Sequence, residues 1–141
     1  MPTYLLKTEP SEYSYADLVR EKSCVWTGVA NPQARGFLRA MKPGDTAFIY
    51  HTGDEKAIVG LAKVTKGAYA DPAEPGLNGN GEIKAPVVEL APLKLAKTPV
   101  TLAAIKADKR FADFALVKSA RLSVMPVPAE LDKVLRSLAS L

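Results

Sequence analysis

Two apolar runs in the middle of the chain constrain its fold more than any other feature. The runs are TAFIYH (46–51) and AIVGLAKV (57–64), and a short turn containing TGDE separates them. Apolar, β-prone runs on either side of a short turn with glycine predict a β-hairpin. The fold must therefore contain at least one pair of antiparallel strands.

Three further segments predict strands. They are TYLLK (3–7), IKAPVVELAPLKLAK (83–97) and ARLSVMPV (120–127). Pro86 and Pro92 interrupt the second of these segments. Because proline cannot donate a hydrogen bond to a sheet ladder, we expect an edge strand or β-bulges there.

Helices are predicted between and after the strands. Ser14 is suited to cap the first helix, and Asn31 followed by Pro32 is typical of the start of the second. In the second helix Ala34, Leu38 and Met41 follow the helical period, so they should face the core. The predicted helices cover residues 15–22, 31–41, 101–111 and 128–141.

The order of these elements predicts an α+β fold. Strands that are not neighbours in sequence, with helices beside them, favour a small β-barrel with flanking helices, since closure protects strand edges. The length of 141 residues predicts a single domain over residues 1–141. Residues 70–82, with three Gly and two Pro, predict a loop within this domain.

Composition argues against several kinds of site. The chain has one Cys, Cys24, and one His, His51, which are too few for a zinc site or a disulfide framework. The segment GLNGNG (76–81) is rich in glycine, but it does not stand between a strand and a helix as a phosphate-binding loop does. We predict no metal and no cofactor.

The apolar runs, the N-terminal stretch and the lone thiol predict a compartment. No apolar run approaches the roughly 18 residues of a membrane span. The N-terminal stretch lacks the basic and long apolar regions of a secretory signal. We therefore expect a reducing, cytoplasmic compartment and no membrane contact.

The charge balance favours an anionic partner. The formal net charge is +4, from 19 Lys and Arg against 15 Asp and Glu, and nucleic acid is the first candidate. The basic excess is spread along the chain, with no basic tail. An alternative is a protein-interaction module without a nucleic-acid ligand, in which Trp26 is ordinary core.

The segment 25–53 carries the main functional prediction. Trp26 precedes Gly28, after which the chain turns into the helix that begins at Asn31. A tryptophan face beside backbone donors suits a flipped nucleobase, which stacks on the ring and hydrogen-bonds through its edge. Tyr50 and His51, at the end of a predicted strand, offer a second wall and a polar contact.

Three basic residues follow the helical period on a different face from the core stripe. Arg35 and Arg39 are four residues apart, and Lys42 follows three later. The structural interpretation is a solvated helix surface. The functional interpretation is a set of phosphate contacts that positions a nucleic acid without reading its bases.

Catalysis is a further alternative. Glu9 and His51 offer an acid–base pair for an enzyme that acts on a base or nucleoside. Cys24 and His51 offer a nucleophile pair, although a small thiol beside Val25 is more typical of a buried apolar position. No catalytic residue is assigned.

Four blocks of sequence together resemble one family. They are LKTEPSEYSYADL (6–18), VWTGVANPQARGFLRAMKPGDTAFIYHTG (25–53), AIVGLAKVTKGAYADP (57–72) and ARLSVMPV (120–127). In order and spacing they closely resemble the EVE domain family. The resemblance spans nearly the whole chain.

The resemblance implies a fold and a function. EVE domains have a PUA-like fold and are similar to YTH domains, and they are proposed readers of modified bases in nucleic acid and not catalysts. It implies a partner that is DNA or RNA with a modified base, and it does not decide between the two. The oligomeric state is open, with a monomer favoured. The implied base pocket consists of Lys7, Thr8, Glu9, Trp26, Gly28, Val29, Asn31, Gln33, Ala34, Tyr50, His51 and Thr52. The helical spacing described above adds Arg35, Arg39 and Lys42 as phosphate contacts.

The chain departs from the commonest family pattern near the predicted pocket. Ala30 stands where Arg is usual, Pro32 where an aromatic is common, and Gly36 where Asn is common. Thr8 stands where Ser is usual. These departures concern the identity of the ligand more than the fold.

Overall fold

The computed structural model describes residues 2–141, so the first residue of the predicted domain lies outside the described part. Its centre is one mixed sheet of six strands in the order β2-β5-β4-β3-β1-β6. The strands are β1 (Thr3–Thr8), β2 (Cys24–Trp26), β3 (Thr46–His51), β4 (Ala57–Ala70), β5 (Pro86–Thr101) and β6 (Val124–Val127). The α+β class is confirmed, and the sheet is not closed into a barrel, since β2 and β6 lie at its two ends.

Five α-helices accompany the sheet in the described residues. They are α1 (Tyr15–Glu21), α2 (Pro32–Ala40), α3 (Leu102–Ala107), α4 (Ala115–Lys118) and α5 (Ala129–Ala139). Ser14 caps α1 with a capping box, and Asn31 caps α2 with Pro32 in its first turn, as the sequence predicts. Within residues 2–141 no helix has the length and apolar character that a membrane crossing requires.

The predicted hairpin is present and longer than expected. β3 and β4 pair antiparallel, and β4 continues to Ala70 because it also pairs with β5 along its length. β5 lies between β2 and β4, so the edge-strand interpretation of its prolines is wrong. The alternative is confirmed, since the β4–β5 ladder carries several bulges and one of them falls where Ala62 meets Pro92.

Other boundaries differ from the sequence predictions. The helix predicted over 101–111 is α3 followed by a separate 3-10 turn, Lys109–Phe111. The strand predicted over 120–127 begins only at Val124. β2 has three residues, too few to show a period, and was not predicted.

The core is apolar and lies against the central strands. Leu5, Phe48 and Ile58 are completely buried. The predicted stripe of α2 is confirmed, since Ala34 and Leu38 are buried at 0% exposure and Met41 at 2%. β1 pairs parallel with β3, which places Thr8 beside His51 at one end of the sheet. That sheet end holds the candidate site.

Candidate functional site

A cavity of about 390 Å³ opens where the end of β1, the strand β2 and the loop before α2 meet. Small-molecule sites in proteins commonly enclose about 300–1,000 Å³. The cavity is therefore large enough for a small planar ligand. Its lining consists of Lys7, Thr8, Glu9, Glu12, Tyr13, Cys24, Val25, Trp26, Thr27, Gly28, Val29 and Ser123.

The loop beside the cavity is shaped by a glycine and a helix cap. Gly28 has φ of +79°, a left-handed conformation that favours glycine. The Asn31 side chain then accepts hydrogen bonds from the backbone N–H groups of Gln33 at 2.8 Å and Ala34 at 3.0 Å. The cap fixes where α2 begins, and so fixes the path of the chain past the cavity.

Two aromatic rings form one wall. The Tyr13 and Trp26 rings lie edge to face, with centroids 6.3 Å apart and an angle of 87° between planes. Trp26 is 7% exposed, and the Tyr13 hydroxyl donates to Glu21 Oε1 at 2.7 Å. Burial, followed by hydrogen bonds to Cys24 and Glu21, raises the pKa of the Tyr13 phenol. Tyr13 is thus a fixed, neutral partner of Trp26.

Tyr13 was missed by sequence reasoning. Its position before the Ser14 cap marks it only as a residue that precedes a helix. Its contact with Trp26 joins segments on two sides of α1, and no local spacing indicates such a contact. The structure gives Trp26 an aromatic neighbour that differs from the predicted Tyr50.

Polar groups reach the same cavity from the end of β1. The Lys7 ammonium donates to the Ala120 carbonyl at 3.0 Å, and burial lowers the Lys7 pKa. The Thr8 hydroxyl donates to the Tyr13 carbonyl at 2.7 Å, so it holds the wall in place.

Glu9 supplies a carboxylate to the lining. Its Oε1 accepts from the Ser11 backbone N–H and hydroxyl at 3.3 and 3.2 Å, and its Oε2 accepts from the Thr52 hydroxyl at 3.3 Å. An ammonium donor, a carboxylate acceptor and an aromatic wall together can stack a planar heterocycle and bond its edge.

His51 does not line the cavity. It is 8% exposed, and its Nε2 accepts from the Tyr15 backbone N–H at 3.0 Å. Since that N–H can only donate, Nδ1 carries the proton and donates to Glu55 Oε1 at 2.7 Å. Both ring nitrogens are used, so the predicted acid–base pair of Glu9 and His51 is not assembled.

The nucleophile interpretation of Cys24 has no support either. Cys24 lines the cavity while His51 does not. Burial raises the pKa of the Cys24 thiol, which disfavours the reactive thiolate. Within residues 2–141 no group of three or more His, Cys, Asp or Glu is placed to hold a metal ion.

Several residues of the predicted base pocket lie elsewhere. Tyr50, 3% exposed, and Thr52 line a second cavity on another side of Lys7. Asn31 and Gln33 lie on the exposed start of α2, and Ala34 is completely buried in the core. Of the twelve predicted base-pocket residues, the first cavity brings together Lys7, Thr8, Glu9, Trp26, Gly28 and Val29.

Arg35 and Arg39 hold the loop between β4 and β5. Arg35 donates to the Val29 carbonyl at 2.7 Å, to the Lys84 carbonyl at 3.2 Å and to Glu74 at 2.8 Å. Arg39 donates to the Ile83 carbonyl at 2.7 Å and to the Lys84 carbonyl at 3.3 Å. Their donors are thus directed at the protein itself, while the predicted Lys42 is exposed.

This chain is similar to known proteins both in sequence and in structure. The EVE domain profile matches residues 3–138. An NMR structure of a protein from Rhodopseudomonas palustris has a TM-score of 0.88 at 42% identity, covering 99% of this chain and 94% of that one. The crystal structure of human THYN1 protein in complex with 5-methylcytosine-containing DNA has a TM-score of 0.89 at 29% identity, covering 100% and 99%. These similarities confirm the PUA-like fold class.

A curated relative gives a sequence match over a shorter stretch. Thymocyte nuclear protein 1 of Gallus gallus is 44% identical over 80 residues, which is 48% of this chain and 33% of that protein. The chain therefore spans about a third of the length of this relative.

Proposed function

This chain belongs to the EVE domain family, and from that premise we propose that it is a binding module that takes up one modified base of a nucleic-acid strand. The first cavity, lined by Lys7, Glu9, Tyr13 and Trp26 among others, is the proposed base pocket. The base lies against the Trp26 ring, and its polar edge faces Lys7 and Glu9.

One observation carries this proposal. The edge-to-face pair of Tyr13 and Trp26 borders a cavity whose charged lining residues are Lys7, Glu9 and Glu12. Base stacking on aromatic side chains is worth about 1–3 kcal/mol per base. A base must leave its own stack to enter such a site, and the polar edge contacts then select among extruded bases.

The similar human structure suggests the first ligand to test. Human THYN1 protein was crystallised with DNA that contains 5-methylcytosine. We therefore propose 5-methylcytosine in DNA as the first candidate for this chain. The same pocket is also proposed for a modified base of RNA. Binding assays with a DNA strand and an RNA strand that carry the same modified base decide between these two ligands.

The proposal of binding without catalysis is supported by the state of the titratable groups. Both nitrogens of His51 are engaged away from the base pocket, and the Cys24 thiol is disfavoured as a thiolate. Thus the residues that suggested acid–base or nucleophilic chemistry are not arranged for it.

The test removes one aromatic ring. Tyr13→Leu removes the aromatic ring that packs against Trp26. We expect the affinity for a labelled strand with one 5-methylcytosine to fall about fivefold or more, in line with a lost aromatic contact. Fluorescence anisotropy measures the affinity. Affinity for the unmodified strand should change less.

Tyr69→Leu is the matched control. Tyr69 is also half-buried, and its hydroxyl also donates to a glutamate, Glu89, at 2.7 Å, but it does not line the base pocket. The control should bind as the unmodified protein does. Equal losses in both variants, or no loss in either, would contradict the proposed pocket.

A further inference from the structure

A second cavity of about 320 Å³ adjoins the base pocket. Its charged residues are Lys7, Lys56 and Lys106, and Tyr50, Thr52 and apolar side chains complete the lining. No acidic side chain lines it. A concave surface with three ammonium groups and no carboxylate attracts an anion.

The three lysines are not committed to carboxylates. Throughout the described chain, the salt bridges of lysine side chains involve only Lys84 and Lys118. Lys7 donates to one backbone carbonyl, that of Ala120, and an ammonium has three donors.

One carboxylate lies beside this cavity, since Glu9 Oε2 accepts from the Thr52 hydroxyl at 3.3 Å. Two further acidic residues face a different groove. Asp54 and Glu55 line that neighbouring groove, which also includes Lys56 and Lys106. Glu55 is hydrogen-bonded to His51. The lining of the second cavity itself therefore carries three ammonium groups, against one carboxylate beside it.

The backbone of Lys56 is a second, independent observation. Its φ is +46°, in the left-handed region that favours glycine. The other non-glycine residues with positive φ in residues 2–141, Lys22 and Ser140, are C-caps of α1 and α5, where this conformation is usual. Lys56 is not a helix cap, so a long basic side chain stands where glycine would fit the backbone better. Such outliers concentrate at functional sites.

Lys7 connects the two cavities, since it lines both. We propose that the second cavity binds a backbone phosphate of the strand, next to the base in the base pocket, through Lys56 and Lys106. This inference rests on the proposed function and adds the phosphate partner to it. Phosphate contact then lies at the β3–β4 turn and α3, and not on α2.

The experiment compares ligands with and without a phosphate. The probes are 5-methyl-2′-deoxycytidine, its 5′- and 3′-monophosphates, and a short strand with one 5-methylcytosine. The variant is Lys56→Gln/Lys106→Gln, and the control is Lys63→Gln/Lys97→Gln, which removes two exposed lysines outside both cavities.

We expect the first double variant to bind the nucleoside as the unmodified protein does. Its affinity for one of the monophosphates should fall about tenfold or more, as lost charge-assisted hydrogen bonds imply. The slope of log affinity against log salt for the single strand should fall by about 0.7 for each lysine removed. The control should leave the monophosphate affinity unchanged.

Two failures are distinguishable. If the unmodified protein binds neither nucleoside nor strand, the proposed function is wrong and the phosphate site falls with it. If the nucleoside binds, but both double variants have the same monophosphate affinity and the same salt slope, the phosphate site alone is overturned.

A further variant separates binding from folding. Lys56→Gly relieves the left-handed backbone conformation, which offsets the greater freedom of glycine in the unfolded chain, so its urea midpoint should be close to that of the unmodified protein. It should nevertheless bind the monophosphate more weakly. Unchanged monophosphate binding in this stable variant would contradict the role of Lys56.

Discussion

Glu9 is the residue on which base selection most depends in this account. Its carboxylate is held by Ser11 and Thr52 and is close to the backbone of Gly53. A Cβ atom at Gly53 would lie 2.8 Å from Glu9 Oε2. The position of this carboxylate therefore depends on Gly53, which lies in the turn between β3 and β4.

Gly53→Ala should displace the Glu9 carboxylate. The φ of +74° alone costs a non-glycine residue about 1–2 kcal/mol. The flexible end of Glu9 can move away from the added methyl group, and the affinity for 5-methyl-2′-deoxycytidine should then fall. Isothermal titration calorimetry measures this affinity, and urea unfolding measures the stability.

Gly81→Ala is the control for the backbone effect. Gly81 has φ of +79°, with nothing within 4 Å of an added Cβ atom. It should lose a similar free energy of unfolding and keep its nucleoside affinity. If both variants keep the affinity, Glu9 does not contact the base.

His51 has a structural role at the residue scale. His51→Leu leaves the Tyr15 backbone N–H at the start of α1 without its partner, and a buried unsatisfied donor costs about 1–3 kcal/mol. We expect this loss in urea unfolding, with nucleoside affinity unchanged. Glu55→Gln, which changes only the half-exposed partner, should cost less. Loss of nucleoside binding in a stable His51→Leu protein would restore His51 as a base contact.

At the scale of elements, α2 is tied to the loop between β4 and β5. Arg35 joins Val29 of the base pocket to Glu74 and Lys84 of that loop. Arg35 and Arg39 thus hold this loop against α2. Sequence periodicity placed Arg35 and Arg39 on one face, but it could not show that a loop about 40 residues later covers that face.

Arg35→Gln should release this loop. We expect faster cleavage within residues 75–82 in limited proteolysis, and an unchanged salt slope of strand binding, because Arg35 serves the protein and not a phosphate. Lys42→Gln, an exposed change just after α2, should leave the loop protected. A salt slope reduced by about 0.7 in Arg35→Gln, with the loop still protected, would instead support the predicted phosphate contact.

Local signals predicted the elements well where a few neighbouring residues decide them. The Ser14 and Asn31 caps are examples, and so is the β3–β4 hairpin. Sequence patterns failed to predict features that depend on a contact with a residue far away in the chain. Pro92 is tolerated inside the sheet because a bulge in the β4–β5 ladder accommodates it. The sequence allowed either an edge strand or a bulge, and only the pairing of β5 with its neighbours decides between them.

At the scale of the whole molecule, strand order creates the site. β1 lies between β3 and β6, and its parallel pairing with β3 brings Lys7 beside Tyr50 and Thr8 beside His51. The base pocket and the second cavity therefore adjoin at one end of the sheet. The family resemblance proposed Lys7, Glu9 and Trp26 for the pocket. It did not include Tyr13, because the Tyr13–Trp26 contact depends on how the segments before and after α1 pack together.

Some residues of the predicted pocket lie apart in the fold. Tyr50 is the penultimate residue of β3 and lines the second cavity, whereas Trp26 ends β2 and lines the first. Tyr50 then faces the second cavity, with the Lys7 ammonium 5.8 Å from its ring centre. The family resemblance proposed which residues form the pocket, and the contacts of each side chain became visible only in the fold.

The most direct measurement is a titration of Trp26 fluorescence at low salt. Trp26 is the only tryptophan, so the signal reports one wall of the base pocket. We expect saturable quenching by 5-methyl-2′-deoxycytidine or another modified nucleoside, at a lower concentration than its unmodified parent requires. Strand binding without any change in Trp26 emission would contradict it, since the strand would then bind a surface away from the base pocket.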